Sequence, residues 1–192
     1  MDNDLSASVG SRLIRHDIVG AATLLENRLC SKGSDRFVSL LDSRFTNSPQ
    51  AVLEHINAFL AACQKLFDVR AVYLTHNGFV FNNDRWYFDS NAYNEVHDIT
   101  HEYEWLCHRV SPDWETFTLT GLEQSQDDFR WYVENEKFDD EKWESVADIA
   151  ELLVKVRFVQ LIESAMKSGA LILPVPIITV AYGFHFFCRF DP

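Results

Sequence analysis

An α+β fold follows from three observations on the chain. Apolar residues recur at helical spacing through the first third. From Val69 the pattern changes to short β-branched and aromatic runs broken by turn residues. A long helical pattern near the C-terminus is then followed by a second β-rich run. Helices and strands are thus segregated along the chain, which predicts an antiparallel sheet with helices packed on it rather than an alternating parallel one. The expected sheet draws on residues 69–89, 115–121 and 171–190, with the helix 141–167 packed against it. With 192 residues and no linker-like tract, one domain, 1–192, is expected. It has a helical portion, 1–68, and a portion, 69–192, holding the sheet, an acidic segment and the long helix.

Residues 12–30 place Leu13, Val19, Leu24, Leu25 and Leu29 near helical spacing, with Gly33 as the stop. Asp35 is read as the cap of a short helix carrying Phe37, Val38, Leu40 and Leu41. Ser48-Pro49 is a capping residue followed by proline at the first helical position, where its missing N–H costs nothing. Residues 50–67 then put Val52, Leu53, Ile56, Phe59, Leu60, Cys63 and Leu66 on one stripe. The run 69–81, VRAVYLTHNGFVF, reads as strand, Asn77-Gly78 turn and strand, because Asn-Gly readily takes the positive φ angles of a tight hairpin. Asn82-Asn83-Asp84 makes a second turn and RWYFD a third strand, completing a meander over 69–89. Residues 93–108 are expected to be helical, with Ser111-Pro112 as the break. TFTLTGL reads as a strand to Gly121, and 123–134 as a helix. Asp139-Asp140 can start the long helix 141–167, which keeps Val146, Ile149, Leu152, Leu153, Val156, Val159 and Leu161 apolar. Gly169 ends it, and a terminal strand pair follows.

Charge is distributed unevenly over these elements. Residues 82–151 hold nineteen carboxylates against five Lys and Arg, whereas 1–81 carry eight of each sign. The whole net charge of −12 therefore belongs to the middle segment, which also holds all five tryptophans: Trp86, Trp105, Trp114, Trp131 and Trp143. Carboxylates steer a basic partner and large amphipathic rings supply contact area. The same segment repels phosphate, and the bases form no patch, so nucleic-acid binding is disfavoured. The one long apolar run, residues 170–188, is broken by Pro174, Pro176, Gly183 and His185, which fits buried strands better than a membrane helix. The N-terminus has acids where a secretory signal has bases. Cys30, Cys63, Cys107 and Cys188 form no CxxC pair and read as reduced thiols. A cytoplasmic protein without a cofactor is expected.

Two constellations carry possible chemistry. His97, His101, Glu104 and His108 would fall within about 40° of one helical face, and HDxxH superficially resembles the HExxH zinc helix. The catalytic Glu is replaced by Asp, and no third ligand stands at a recognisable distance. His97, His101 and His108 thus define only an alternative, a metal-dependent hydrolase, against the plainer reading of a surface histidine stripe. Paired carboxylates recur at Glu102/Glu104, Asp127/Asp128 and Asp139/Asp140/Glu141. Their density favours a solvated face over a catalytic pair, which would need one raised pKa. Cys107 and His108 are neighbours that point apart on a helix. GxSxG, P-loop and GxGxxG patterns are missing from the sequence, so no catalytic residue is assigned.

The runs VRAVYLTHNGFVFNNDRWYFDSNAY, EYEWLCHRVSPDWETFTLTGLEQSQ and ITVAYGFHFFCRFDP resemble small uncharacterised bacterial proteins found beside polymorphic toxins and regarded as their immunity proteins. The resemblance covers about residues 69–192 and rests on aromatics and turn residues. It implies a cytoplasmic acidic α+β protein that neutralises a toxin, and it brings no active-site residues. Together with the charge pattern it predicts a non-enzymatic binding protein with a basic protein partner, such as a nuclease toxin domain. The residues expected to meet that partner are Glu102, Glu104, Trp105, Trp114, Asp127, Asp128, Trp131, Asp139, Asp140 and Trp143. The other alternative is an acidic scaffold that binds some other host protein.

Overall fold

The computed structural model describes residues 3–77, 82, 84–98, 104–181 and 188–192. Five α-helices and a five-stranded sheet make an α+β architecture among these residues. The helical pattern expected over 12–30 is two helices, α1 (Asn3–Ile14) and α2 (Ile18–Lys32). Asp17 is the reason for the break. Its carboxylate caps α2 by accepting the Gly20 N–H at 3.0 Å and pairs with Arg12, while His16 takes φ 58°. Gly20 allows this close approach, since a Cβ there would lie 2.2 Å from an Asp17 oxygen. Gly33, at φ 58°, closes α2 as expected.

Instead of an Asp35-capped helix, Phe37 takes φ 61° and opens a 3₁₀ turn at Val38–Leu41. α3 (Pro49–Cys63) starts at the expected Ser48 cap, which accepts the Ala51 N–H at 3.4 Å. It stops four residues short of the expected end, leaving Leu66 67 % exposed.

The strands are β1 (Ala71–His76), β2 (Tyr87–Tyr93), β3 (Phe117–Thr118), β4 (Ile177–Ala181) and β5 (Cys188–Phe190). Their order is β3-β2-β1-β4-β5. β1 and β2 pair antiparallel, from Ala71 opposite Tyr93 to His76 opposite Phe88. The expected middle strand of the meander, 79–81, lies outside the described residues. β2 runs on to Tyr93, past the expected end at residue 89, because Ser90 and Ala92 face the helices and are buried there. The sheet is mixed, which corrects the antiparallel expectation: β4 runs parallel to β1, from Val72 opposite Ile177 to His76 opposite Ala181. The reason is α5 (Glu141–Ser168), 28 residues long and hence about 42 Å. It carries the chain back across the sheet so that β4 enters from the same end as β1. Asn57 on α3 pins the return by bonding Ala170 O at 3.2 Å and the Ile172 N–H at 2.9 Å. The expected C-terminal strand pair is present as antiparallel β4 and β5.

The helix expected over 93–108 is not formed by the described residues there. Tyr93 ends β2, residues 94–98 are irregular, and Glu104–Cys107 is a single 3₁₀ turn. Sheet bonding wins locally: the N–H groups of Val110 and Ser111 both donate to Ala92 O, at 3.1 and 3.2 Å. α4 (Glu123–Glu134) and α5 agree with expectation.

One apolar cluster joins α1–α5 to the helix-facing side of the sheet, and a smaller one, Ala71, Tyr93, Trp105 and Ile178, covers the opposite face. α5 is its axis, buried at every position from Leu152 to Val159. The charges enclosed there are matched. Arg157 bonds Glu26, which also meets Arg44 at 2.9 Å, and Lys155 meets Glu151 at 2.7 Å. No helix among the described residues is long and apolar enough to cross a membrane.

Candidate functional site

The acidic residues gather where α4 ends and α5 begins, joined by a 3₁₀ turn at Lys137–Asp139. Trp131 on α4 and Trp143 on α5 are half-buried and stack edge-to-face, with ring centroids 5.0 Å apart. That contact fixes the angle of the corner. Asp140 caps α5, accepting the Lys142 N–H at 3.0 Å and the Trp143 N–H at 3.5 Å. Asp139, Glu141 and Glu144 are exposed beside it, and carboxylates at this end are favoured by the helix dipole. The chain's own cations lie over the rings: the Arg36 guanidinium is 4.5 Å from the Trp131 centroid, Lys137 is 5.9 Å from it, and Lys142 is 5.4 Å from Trp143. Cation–π attraction and nearby carboxylates therefore act together on positive groups here.

The expected partner surface does not come together as a whole. Trp131, Asp139, Asp140 and Trp143 share this corner, and Asp127 is exposed on α4 in an ion pair with Arg130 at 2.7 Å. Asp128 turns inward and is corrected to a structural residue. It is 4 % exposed, accepts the Phe37 N–H at 2.9 Å and meets Arg36 at 3.2 Å, so it holds the left-handed residue and the guanidinium that stacks on Trp131. Trp105 is also removed from the contact surface: it is 6 % exposed and packs on Tyr93 at 4.9 Å, on the outer sheet face. Glu104 is exposed beside it, while Trp114 is half-buried against Phe59 at 5.7 Å. Glu102 and His101 lie outside the described residues. His97 pairs with Glu95 at 3.2 Å in irregular chain, and His108 is exposed after the 3₁₀ turn, so no helix aligns them. Among the described residues no group of three or more His, Cys, Asp or Glu side chains is placed to hold a metal ion.

The sequence reading missed the residues that complete the corner. Glu144, Asp148 and Glu151 lie at i, i+4 and i+7 on α5, one face of the helix. The pKa of the Tyr132 phenol is pushed up to about 12 by burial and by the negative charges of Asp148, Glu144, Glu151 and Asp139. On the outer side, Glu141, Glu144 and Asp148 line a cleft of about 220 Å³, with Arg28 and Lys32 of α2 opposite and Leu5, Ile149 and Leu152 as its floor. Spacing on the α5 stripe was the available signal, but only packing shows that α4 supplies a tyrosine to it. Farther along the same face, Lys155 is pushed down to about 8 by burial, against the pull of Glu151 and Asp148. His76 of β1 is pushed down to about 3 by burial and by Lys155. Comparison with family models, curated proteins and solved structures finds no match to this chain.

Proposed function

We propose that the chain is a non-enzymatic binding protein, an immunity protein that occludes a basic toxin domain in the cytoplasm. The observation that carries this reading is the α4–α5 corner, where exposed carboxylates flank two half-buried tryptophans on the ends of two helices. A toxin that acts on nucleic acid needs a positive cleft for phosphate, and a rigid acidic surface competes for that cleft. Carboxylates at the rim accelerate encounter, whereas partly buried aromatic anchors set the dissociation rate. The resemblance of residues 69–192 to toxin-associated proteins supports the same reading.

Co-expression with a toxin-like product encoded beside this chain is the test. Protection of the cell, together with a complex that survives gel filtration at low salt, is the expected result. Equal killing with and without the chain, and no complex, would refute it.

A further inference from the structure

Resting on that reading, we infer that Phe138, at the tip of the α4–α5 corner, is the anchor that enters an apolar socket rimmed by Lys and Arg side chains on the toxin. Phe138 is 49 % exposed and is the one exposed aromatic ring among the described residues. Trp131 and Trp143, which stack on each other, are already half-buried. Phe138 is therefore the ring left for a partner to cover, and large rings buried in a partner's pocket dominate interface energies.

The turn that presents the ring is held at both ends. The Asn135 N–H donates to Trp131 O at 3.1 Å and the Glu136 N–H to Val133 O at 3.0 Å, closing α4. Glu136 then takes φ 50°, and the Asp140 N–H donates to Lys137 O at 3.2 Å on the other side of Phe138. Asp140 in turn caps α5. A ring on a backbone fixed in this way loses little freedom on docking, which raises affinity without new contacts.

The charges around the tip decide what can cover it. Residues 134–144 hold six carboxylates against two lysines. Glu134, Glu136, Asp139 and Glu141 are exposed and enter no ion pair among the described residues, while Lys137 and Lys142 lie over the Trp131 and Trp143 rings. A neutral surface laid on Phe138 would strip water from these carboxylates without replacing it, whereas a basic rim pairs with them as it closes. An anionic bilayer, nucleic acid and a second copy of this chain, which itself carries −12, all meet the tip with like charge. A basic protein with an apolar pocket satisfies both the ring and its surroundings.

The test is isothermal titration and stopped-flow binding at low salt, with the purified toxin-like product encoded beside this chain as the probe. Phe138→Ser is expected to weaken the complex about thirtyfold or more, chiefly through faster dissociation. Its thermal midpoint should match the wild type, because the side chain is exposed. Phe138→Leu, which keeps an apolar side chain, should fall between the two in affinity. Leu66→Ser removes a more exposed apolar side chain outside the acidic segment and should stay within about twofold. Glu136→Gln/Glu141→Gln should slow association and flatten its salt dependence, leaving dissociation nearly unchanged. Phe138→Ser binding like the wild type, equal weakening by Leu66→Ser, or an association rate untouched by the charge variant would each overturn the inference. In the co-expression assay, full protection by Phe138→Ser would overturn it while leaving the immunity reading intact. A wild-type chain that neither protects nor binds the product would sink the immunity reading and the anchor with it.

Discussion

Asp127 and Asp128 are adjacent, alike in sequence, and opposite in role. Asp127 forms an exposed i, i+3 pair with Arg130, and such pairs contribute little. Asp128 is buried and satisfies a backbone N–H at a residue with φ 61°. Replacing Asp128 by Ala leaves that N–H and part of Arg36 without partners, so the expected loss is about 2–3 kcal/mol in urea denaturation. Asp127→Ala should stay within about 0.5 kcal/mol. A reversed order of the two would refute the assignment. Periodicity could have separated them, because only position 128 lies on the face that carries Phe129 and Tyr132. The left-handed Phe37 that needs Asp128 is ninety-one positions away and has no local signature.

The long helix shows how an element can be legible while its surroundings are not. Its start, its length and the Asp140 cap all follow from local chemistry, and Asp140→Ala should cost about 1 kcal/mol, read as a shift in the denaturation midpoint. Lys155 sits in its most buried stretch, where a free-helix reading would place it on a polar stripe with Glu151. Burial makes its charge unfavourable, lowering the folded pKa to about 8 from 10.5. Between those values the unfolded chain binds the extra proton, so this group contributes a rise in stability as pH increases from about 8. Cys63, raised by burial from 9.0 to about 11, and Cys188, raised to about 12, act in the opposite sense above pH 9. The rise should therefore be seen between about pH 8 and 9 and be lost in Lys155→Met. Denaturation curves that shift identically with pH in both proteins would contradict this.

Over the whole molecule, the proposed immunity role assigns partner encounter to the charge asymmetry and residence time to the corner. Association with a basic partner should slow steeply as salt rises, since exposed charges are screened over about 10 Å at 0.1 M. Stopped-flow rates should fall for Asp139→Asn/Glu144→Gln, whereas Trp143→Ala should mainly speed dissociation, with a loss of about 2 kcal/mol or more. A salt-independent association rate would remove the acidic surface from the mechanism. The sequence by itself determined the α+β class, most helix positions, the acidic middle and the pairing of the last two strands. It did so because periodicity, caps and turn residues act over a few positions. The tertiary structure alone decided the parallel β1–β4 contact, the extension of β2 to Tyr93 where a helix was expected to begin, the inward turn of Asp128 and Trp105, and the electrostatic influence of α5 carboxylates on Tyr132 of α4. Each of these depends on which surfaces meet after the long helix crosses the sheet. That choice is made by burial across distant segments, to which local spacing is blind.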